Sequence, residues 1–390
     1  MRQRRTAKAA GRSRSELKPD EAANSGAKLD PDAAAAPGSG LFGLSSAPAA
    51  SRFVVVPVPF EATTSYGGGT ASGPASILRA SHQVDLYDRE TGQPYIDGIA
   101  MLPIPRKIER LSRQGKRLAA PIIRAGGRIG SDRRLQADRA KVDEICGQMN
   151  AWVRETTAAL LEEGKTPFAL GGDHSIAFGA IEACAGRHPG MGILHIDAHA
   201  DLRQAFEGFT WSHASIMYNV QDRIPNVSRI VQVGIRDMGL TEARLIDSSG
   251  GRIVAFFDPD LAGRLARGEP FARIAEEIAS LLPAQVYVSF DIDGLDPALC
   301  PHTGTPVPGG LSFHQATGLL AALVRAGRTI IGGDLDEVAP GPRGEEWDAN
   351  VGARILYKMI GSARLSQPER KKAPAPAPAG RAGLSSSSVG

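Results

Sequence analysis

The chain has 390 residues, 42% of them hydrophobic, with 45 Lys and Arg against 42 Asp and Glu for a net charge of +3. That is enough apolar content for one large core or two modest ones, and too little charge excess to argue for nucleic-acid binding. No apolar run reaches membrane-spanning length, and Cys146, Cys184 and Cys300 lack metal or redox spacing, which excludes a disulfide framework and fits a reducing, cytoplasmic setting.

Residues 1–50 are rich in Ala, Gly, Ser, Pro and charge and poor in branched apolar side chains. Such a segment cannot bury enough surface to offset its ordering entropy, so it is expected to be a disordered tail. Arg2, Arg4, Arg5, Lys8, Arg12 and Arg14 precede the first acid, Glu16; a solvated basic tail is the favoured reading and an organellar transit peptide the other. Phe53 to Val58 reads as a buried strand, followed by the glycine-rich loop Thr63 to Gly69. That loop lacks the Lys-Ser/Thr ending of a phosphate cradle. Gly73-Pro74 opens a helix. Tyr87 to Asp138 carries few regular signals. From Lys141 to Glu163, Ile145, Met149, Trp152 and Leu160 fall on one helical stripe. Met191–Ile196, Val286–Phe290 and Thr329–Ile331 read as further buried strands. Residues 366–390, with Ala-Pro alternation and four serines from Ser385, form a second expected tail. One domain over 51–365 remains. Its strand and helix alternation predicts an α/β fold with a doubly wound, mostly parallel sheet and helices on both faces.

Four short segments carry the chemistry: Gly171-Gly172-Asp173-His174-Ser175, Asp197-Ala198-His199-Ala200-Asp201, Asp291-Ile292-Asp293, and Asp334-Leu335-Asp336-Glu337-Val338. The last three follow the strands just named. In an open α/β sheet, ligands bind at the carboxyl ends of the strands, so these acidic and imidazole groups converge on one edge. Alternate positions of an extended chain share a face, which aligns Asp197, His199 and Asp201, and likewise Asp291 and Asp293. Carboxylate and imidazole are ligands for divalent transition metals, and so many negative charges cannot share one edge without cations. The pattern points to a di-metal site. His195, within a strand, reads as a hydrogen-bonded core group, and Asp173 and Asp296 as supports for the ligands and turns.

These motifs, with the following Gly294-Leu295-Asp296-Pro297, in this order and spacing resemble those of the ureohydrolases, the arginases, agmatinases and their relatives, from about Phe53 to about Ile360. The resemblance implies a three-layer α/β/α domain with a sheet of about eight strands. It implies two manganese ions per subunit, with nickel as the alternative metal. His174 and Asp201 would bind one, His199 and Asp293 the other, and Asp197 and Asp291 would bridge the pair. It further implies that a hydroxide bridging the metals attacks a guanidinium held by Glu337, and that His213 protonates the departing amine. Subunits of that family commonly form homotrimers or homohexamers. The expected partner is a small guanidino substrate, with no nucleic acid and no membrane.

Agmatine is the leading single substrate, and the segment Asp197 to Ser215 resembles agmatinases more than arginases. Arg203 stands where arginases carry an Asn that holds the substrate carboxylate, and it would repel the ammonium of agmatine if it faced the pocket. Facing the pocket, it would favour guanidino acids; facing solvent, it would leave agmatine ahead. Thr305 lies in a segment whose Val307 replaces the Glu common in agmatinases. Trp347 is bulky enough to shorten the pocket toward a smaller guanidine. Thr305, Trp347, Arg203 and Glu337 are therefore the expected substrate contacts. Guanidine itself, a guanidino acid or a formimidoyl compound are alternatives on the same scaffold. A single-zinc amidohydrolase of the deacetylase kind and a non-catalytic scaffold are alternatives of other classes.

Overall fold

The computed structural model describes residues 29–368. The expected disorder of residues 1–28 and 369–390, and the basic run at the start, lie outside the described residues. The compact body begins at Ala34, and the described residues 29–33 fall outside it.

The body is built on eight strands: β1 Phe53–Pro57, β2 Ile99–Met101, β3 Thr166–Leu170, β4 Gly192–Ile196, β5 Arg229–Ile235, β6 Ile253–Phe257, β7 Gln285–Asp291 and β8 Thr329–Asp336. Their order is β2-β1-β3-β8-β7-β4-β5-β6, and every pairing is parallel. Side chains alternate between the faces: Phe53 and Val55 enter one apolar cluster, Val54 and Val56 the other. The first cluster packs under helices Gly73–Ala80, Phe271–Ser280, Phe313–Arg325 and Trp347–Ser366. The second packs under Arg106–Arg124, Arg133–Glu162, Ala177–Arg187 and Ile216–Arg223. Both faces are covered, so the inner strands read as continuous apolar runs. This is the three-layer α/β/α sandwich that the alternation predicts. Among the described residues, no helix is long and apolar enough to cross a membrane.

Three boundaries differ from expectation. The stretch from Tyr87 to Asp138 holds β2 and the 19-residue helix Arg106–Arg124. Its signal is masked by Gly115 and Pro121, both helix breakers in isolation. Gly115 is required because a Cβ there would lie 2.8 Å from that of Ala62, and Pro121 falls in the last turn. The helix expected from Lys141 begins at Arg133, capped by the Asp132 carboxylate on the Arg134 and Leu135 amides; its first two turns bury no apolar side chain, so no stripe announces them. β8 runs on to Asp336 rather than stopping at Ile331. Its Gly332-Gly333 pair has low strand propensity, but a Cβ at Gly333 would meet the Val288 carbonyl at 2.6 Å.

The tail expected to end at residue 50 is also corrected. Leu41, Phe42 and Leu44 are buried in the first cluster, and the Phe42 ring meets Tyr357 edge-on at 4.7 Å. At the other end, the Gln367 amide bonds Thr166 and the Ile330 carbonyl. Three isolated apolar residues in a polar context carry too little periodicity to be read as core.

Candidate metal centre and pocket

The four motif segments follow or end β3, β4, β7 and β8, which are the adjacent central strands β3-β8-β7-β4. Their carboxyl ends place the acidic and imidazole groups together. His174 Nδ1 lies 3.1 Å from Asp197 Oδ2, 3.2 Å from Asp201 Oδ2 and 3.4 Å from Asp291 Oδ2. His199 Nδ1 lies 3.1 Å from Asp293 Oδ2 and 3.5 Å from Asp197 Oδ1. Asp197 therefore turns one oxygen toward each histidine. Asp173, His174, Asp197, Asp201, Asp291 and Asp293 are all buried.

Backbone conformation is strained at two of these positions. Asp201 has φ +54° and Glu337 φ +60°, a region that favours glycine. Asp tolerates it, but a Glu there must be held by its surroundings. The Glu337 amide donates to the Gly172 carbonyl, its own carbonyl accepts from Thr303 Oγ1, and its Oε1 accepts from the His174 amide at 3.0 Å. Glu337 Oε2 is buried with no hydrogen-bond partner among the described residues.

A second row supports the first. His195 is fully buried and uses both ring nitrogens: Nε2 lies 2.8 Å from Asp197 Oδ2, and Nδ1 is 2.9 Å from the Gln232 amide nitrogen. Gln232 donates to Nδ1, which leaves the proton on Nε2, aimed at Asp197. Behind His174, Nε2 lies 2.9 Å from Ser289 Oγ, which donates to Asp334 Oδ1 at 2.8 Å. Asp173 receives Ser175 and Thr64, and Asp296 caps the turn at Ala298.

The electrostatics show what this cluster lacks. Burial alone would lower the His174 pKa, yet Asp197, Asp201 and Asp291 raise it well above its ordinary value. Burial likewise opposes charge on His199, and Asp293 and Asp197 lift it to about 12. Burial, then Asp197, pushes Asp201 up to about 6. Burial, then Asp293 and Asp197, raises Asp291. Without other cations Asp201 and Asp291 hold protons more tightly than free carboxylates, and the two imidazoles become cations. Two overlapping groups, His174 with His195, Asp197 and Asp201, and Asp197 with His199 and Asp293, each hold their ligand atoms within 4.8 Å of one another. Oxygen and nitrogen donors so grouped, with excess negative charge, fit divalent metal ions.

Above this cluster opens a cavity of about 160 Å³, lined by the cluster residues His174, His199, Asp201 and Asp291 and by Thr305 and Glu337. Ser65, Arg203, Phe206, His213, Asp237 and Glu242 line it as well. His213 is half-buried at the head of a short helical turn, capped by Ser212, with its ring edge-on to Phe206 at 6.3 Å. Burial, then the charges of His199 and His174, holds its pKa down to about 4, so its ring is neutral at ordinary pH. Thr305 Oγ1 donates to Asp293 Oδ2 at 3.3 Å. Trp347 is the exception among the expected contacts. It is 51% exposed, its indole N–H donates to the Ala298 carbonyl, and it does not line the cavity. The expected shortening of the pocket by Trp347 is therefore corrected. Val307 instead offers its carbonyl to Arg236. Phe206, Asp237 and Glu242 carry no signal in the sequence because each sits in a segment without a charge pattern of its own.

Glu61 anchors the loop that carries Ser65. Its buried carboxylate accepts the amides of Gly69 and Ala71 and the hydroxyl of Thr70, and pairs with Lys116 from the helix Arg106–Arg124. Burial opposes its charge, but Lys116 and the two amides prevail and hold its pKa below the ordinary carboxylate value. A depressed folded-state pKa contributes stability that is present above the unfolded pKa and lost as pH falls through the folded one. Glu61→Gln should therefore lower Tm near neutrality and flatten its fall below about pH 4.5. Parallel Tm against pH curves for the two proteins would refute the anchoring role.

Comparison with known proteins agrees with this geometry. The arginase-family sequence model matches residues 51–361. An N(1)-aminopropylagmatine ureohydrolase of Thermus thermophilus is 33% identical over 323 residues, spanning 82% of this chain and 94% of its own. The guanidinobutyrase of Pseudomonas aeruginosa is 28% identical over 308 residues, spanning 78% and 84%. Among solved structures, proclavaminate amidino hydrolase from Streptomyces clavuligerus matches with a TM-score of 0.65 at 22% identity, over 86% of this chain and all of that one; this likeness speaks for the fold. The chain belongs to the arginase family. It is a ureohydrolase, a hydrolase acting on carbon–nitrogen bonds of guanidino compounds.

Proposed function

We propose that the chain hydrolyses a guanidino compound to urea and an amine, with two manganese ions held by His174, Asp197, His199, Asp201, Asp291 and Asp293. The observation that carries this reading is Asp197, a buried carboxylate with one oxygen toward His174 and the other toward His199. His174 and Asp201 form one end of the set, His199 and Asp293 the other, and Asp291 joins Asp197 in the middle. When bound, a pair of divalent ions supplies a water acidic enough to act as a nucleophile at neutral pH.

The chain's own residues do the rest. Glu337 Oε2, buried and without a partner among the described residues, receives guanidinium N–H groups and fixes the plane of the substrate. Its strained backbone leaves little freedom to reorient, so the group is held ready before binding. Thr305 steadies Asp293 through its hydroxyl. His213, neutral on the cavity wall, takes a proton during attack and returns it to the departing amine. His195, through its bond to Asp197, fixes the orientation of that carboxylate. Agmatine and a guanidino acid are the reference substrates that the pocket has to tell apart. A homotrimer or homohexamer, and a cytoplasmic location, accompany this reading.

The test is release of urea from a panel of agmatine, arginine, a guanidino acid and guanidine, by protein loaded separately with manganese and with nickel. Urea from at least one guanidino compound is expected, with manganese the better metal. Formamide from a formimidoyl compound in place of urea, or full activity with one zinc per chain, would overturn the reading.

A further inference from the structure

The cavity lining carries a cation, Arg203, that the proposed chemistry does not use. Arg203 lines the cavity with its side chain 40% exposed. Its amide donates to the Ala214 carbonyl, which pins it beside the segment holding His213. The guanidinium stacks on Phe206 at 4.9 Å, and Nε approaches Glu242 Oε2 at 3.5 Å. These contacts occupy its face and its Nε side, while neither terminal nitrogen has a hydrogen-bond partner among the described residues. Glu242 is in turn occupied: Oε1 accepts the Leu202 amide at 2.9 Å and Oε2 the Gly239 amide at 2.6 Å. The Asp237 carboxylate, also on the wall, belongs to an exposed residue whose field water and salt screen. What remains is a guanidinium held in place on the cavity lining, with terminal N–H donors that no described residue accepts.

We propose that Arg203 is the specificity-determining residue that reads a carboxylate at the far end of the substrate, which makes the preferred substrate a guanidino acid. This deepens the proposed function and rests on it. A planar fork matches a carboxylate with two parallel hydrogen bonds and is always charged. The stack on Phe206 removes much of the rotamer freedom that binding would otherwise have to quench. The same fork repels a terminal ammonium, so a guanidino amine loses where a guanidino acid gains.

The experiment compares 4-guanidinobutyrate with agmatine, two chains of similar length with opposite far-end charge. Both are assayed for urea with the manganese-loaded protein and with its Arg203→Gln and Arg203→Lys variants. The intact protein should favour the acid by roughly 30-fold in kcat/KM, the scale of hydrogen bonds to a charged group. Arg203→Gln should reverse the order, mainly through KM for the acid, and Arg203→Lys should restore part of the preference through charge without the fork. A preference of the intact protein for agmatine, or a ratio unchanged in Arg203→Gln, would overturn the proposal. Absence of urea from every guanidino compound would count against the proposed function instead. Calorimetric binding of the same two ligands to the manganese-loaded proteins would then decide this inference by the same ratio.

Discussion

Asp197→Ala should abolish the binuclear site: elemental analysis of protein reconstituted with manganese should fall from two ions per chain to one or none, and urea formation by roughly 10³-fold or more. The scale follows from several kcal/mol of charge stabilisation lost with the metals, each 1.36 kcal/mol being tenfold in rate. The effect should be larger than for a ligand of one end alone because Asp197 serves both ends. Its Oδ2 faces His174 and its Oδ1 faces His199. Despite its burial, the surrounding His195, His174 and His199 hold its carboxylate well below the ordinary pKa, so it stands ready as an anion. Removal also deprives His195 of its partner at 2.8 Å, so loss of folding must be told apart from loss of metal. Asp293→Ala provides that control. It touches only the His199 end and should lose mainly one ion. In the intact protein, a chelator should lower Tm, since ligands bound only by the folded state stabilise it by mass action. A stoichiometry of one ion in the intact protein would sink the binuclear mechanism.

His213→Ala should keep both metals and slow turnover by roughly 10²-fold or more, the usual scale of general acid–base assistance. His213 lines the cavity and makes none of the cluster's hydrogen bonds, so its loss should leave metal content and fold intact. Its imidazole on the cavity lining has a ring nitrogen that can take up a proton and hand it on. Added imidazole should recover part of the rate, which a merely structural histidine would not permit. Turnover unchanged across pH in the variant would remove His213 from the mechanism.

The acidic segments and their strands were legible in the sequence because both carry local signals. Branched apolar runs mark strands that are buried on both faces, and alternate acids at the ends of those strands mark one shared face. From these alone follow the parallel α/β fold, the convergence of the motifs and their demand for cations. The helix Arg106–Arg124 was hidden because Gly115 answers to Ala62, a neighbour more than fifty positions away, and not to helix propensity. The extension of β8 was hidden because Gly333 makes room for the Val288 carbonyl on the adjacent strand.

The pocket wall was less legible still. Whether Arg203 faces ligand or solvent depends on Phe206, Glu242 and the Ala214 carbonyl, which come from different turns of the chain. The position of Trp347 depends on the Ala298 carbonyl, 49 residues away. Metal-ligand chemistry is written in residue type and spacing, which the sequence alone determines. The direction of a side chain on a loop is set by long-range contacts, and only the tertiary structure decides it.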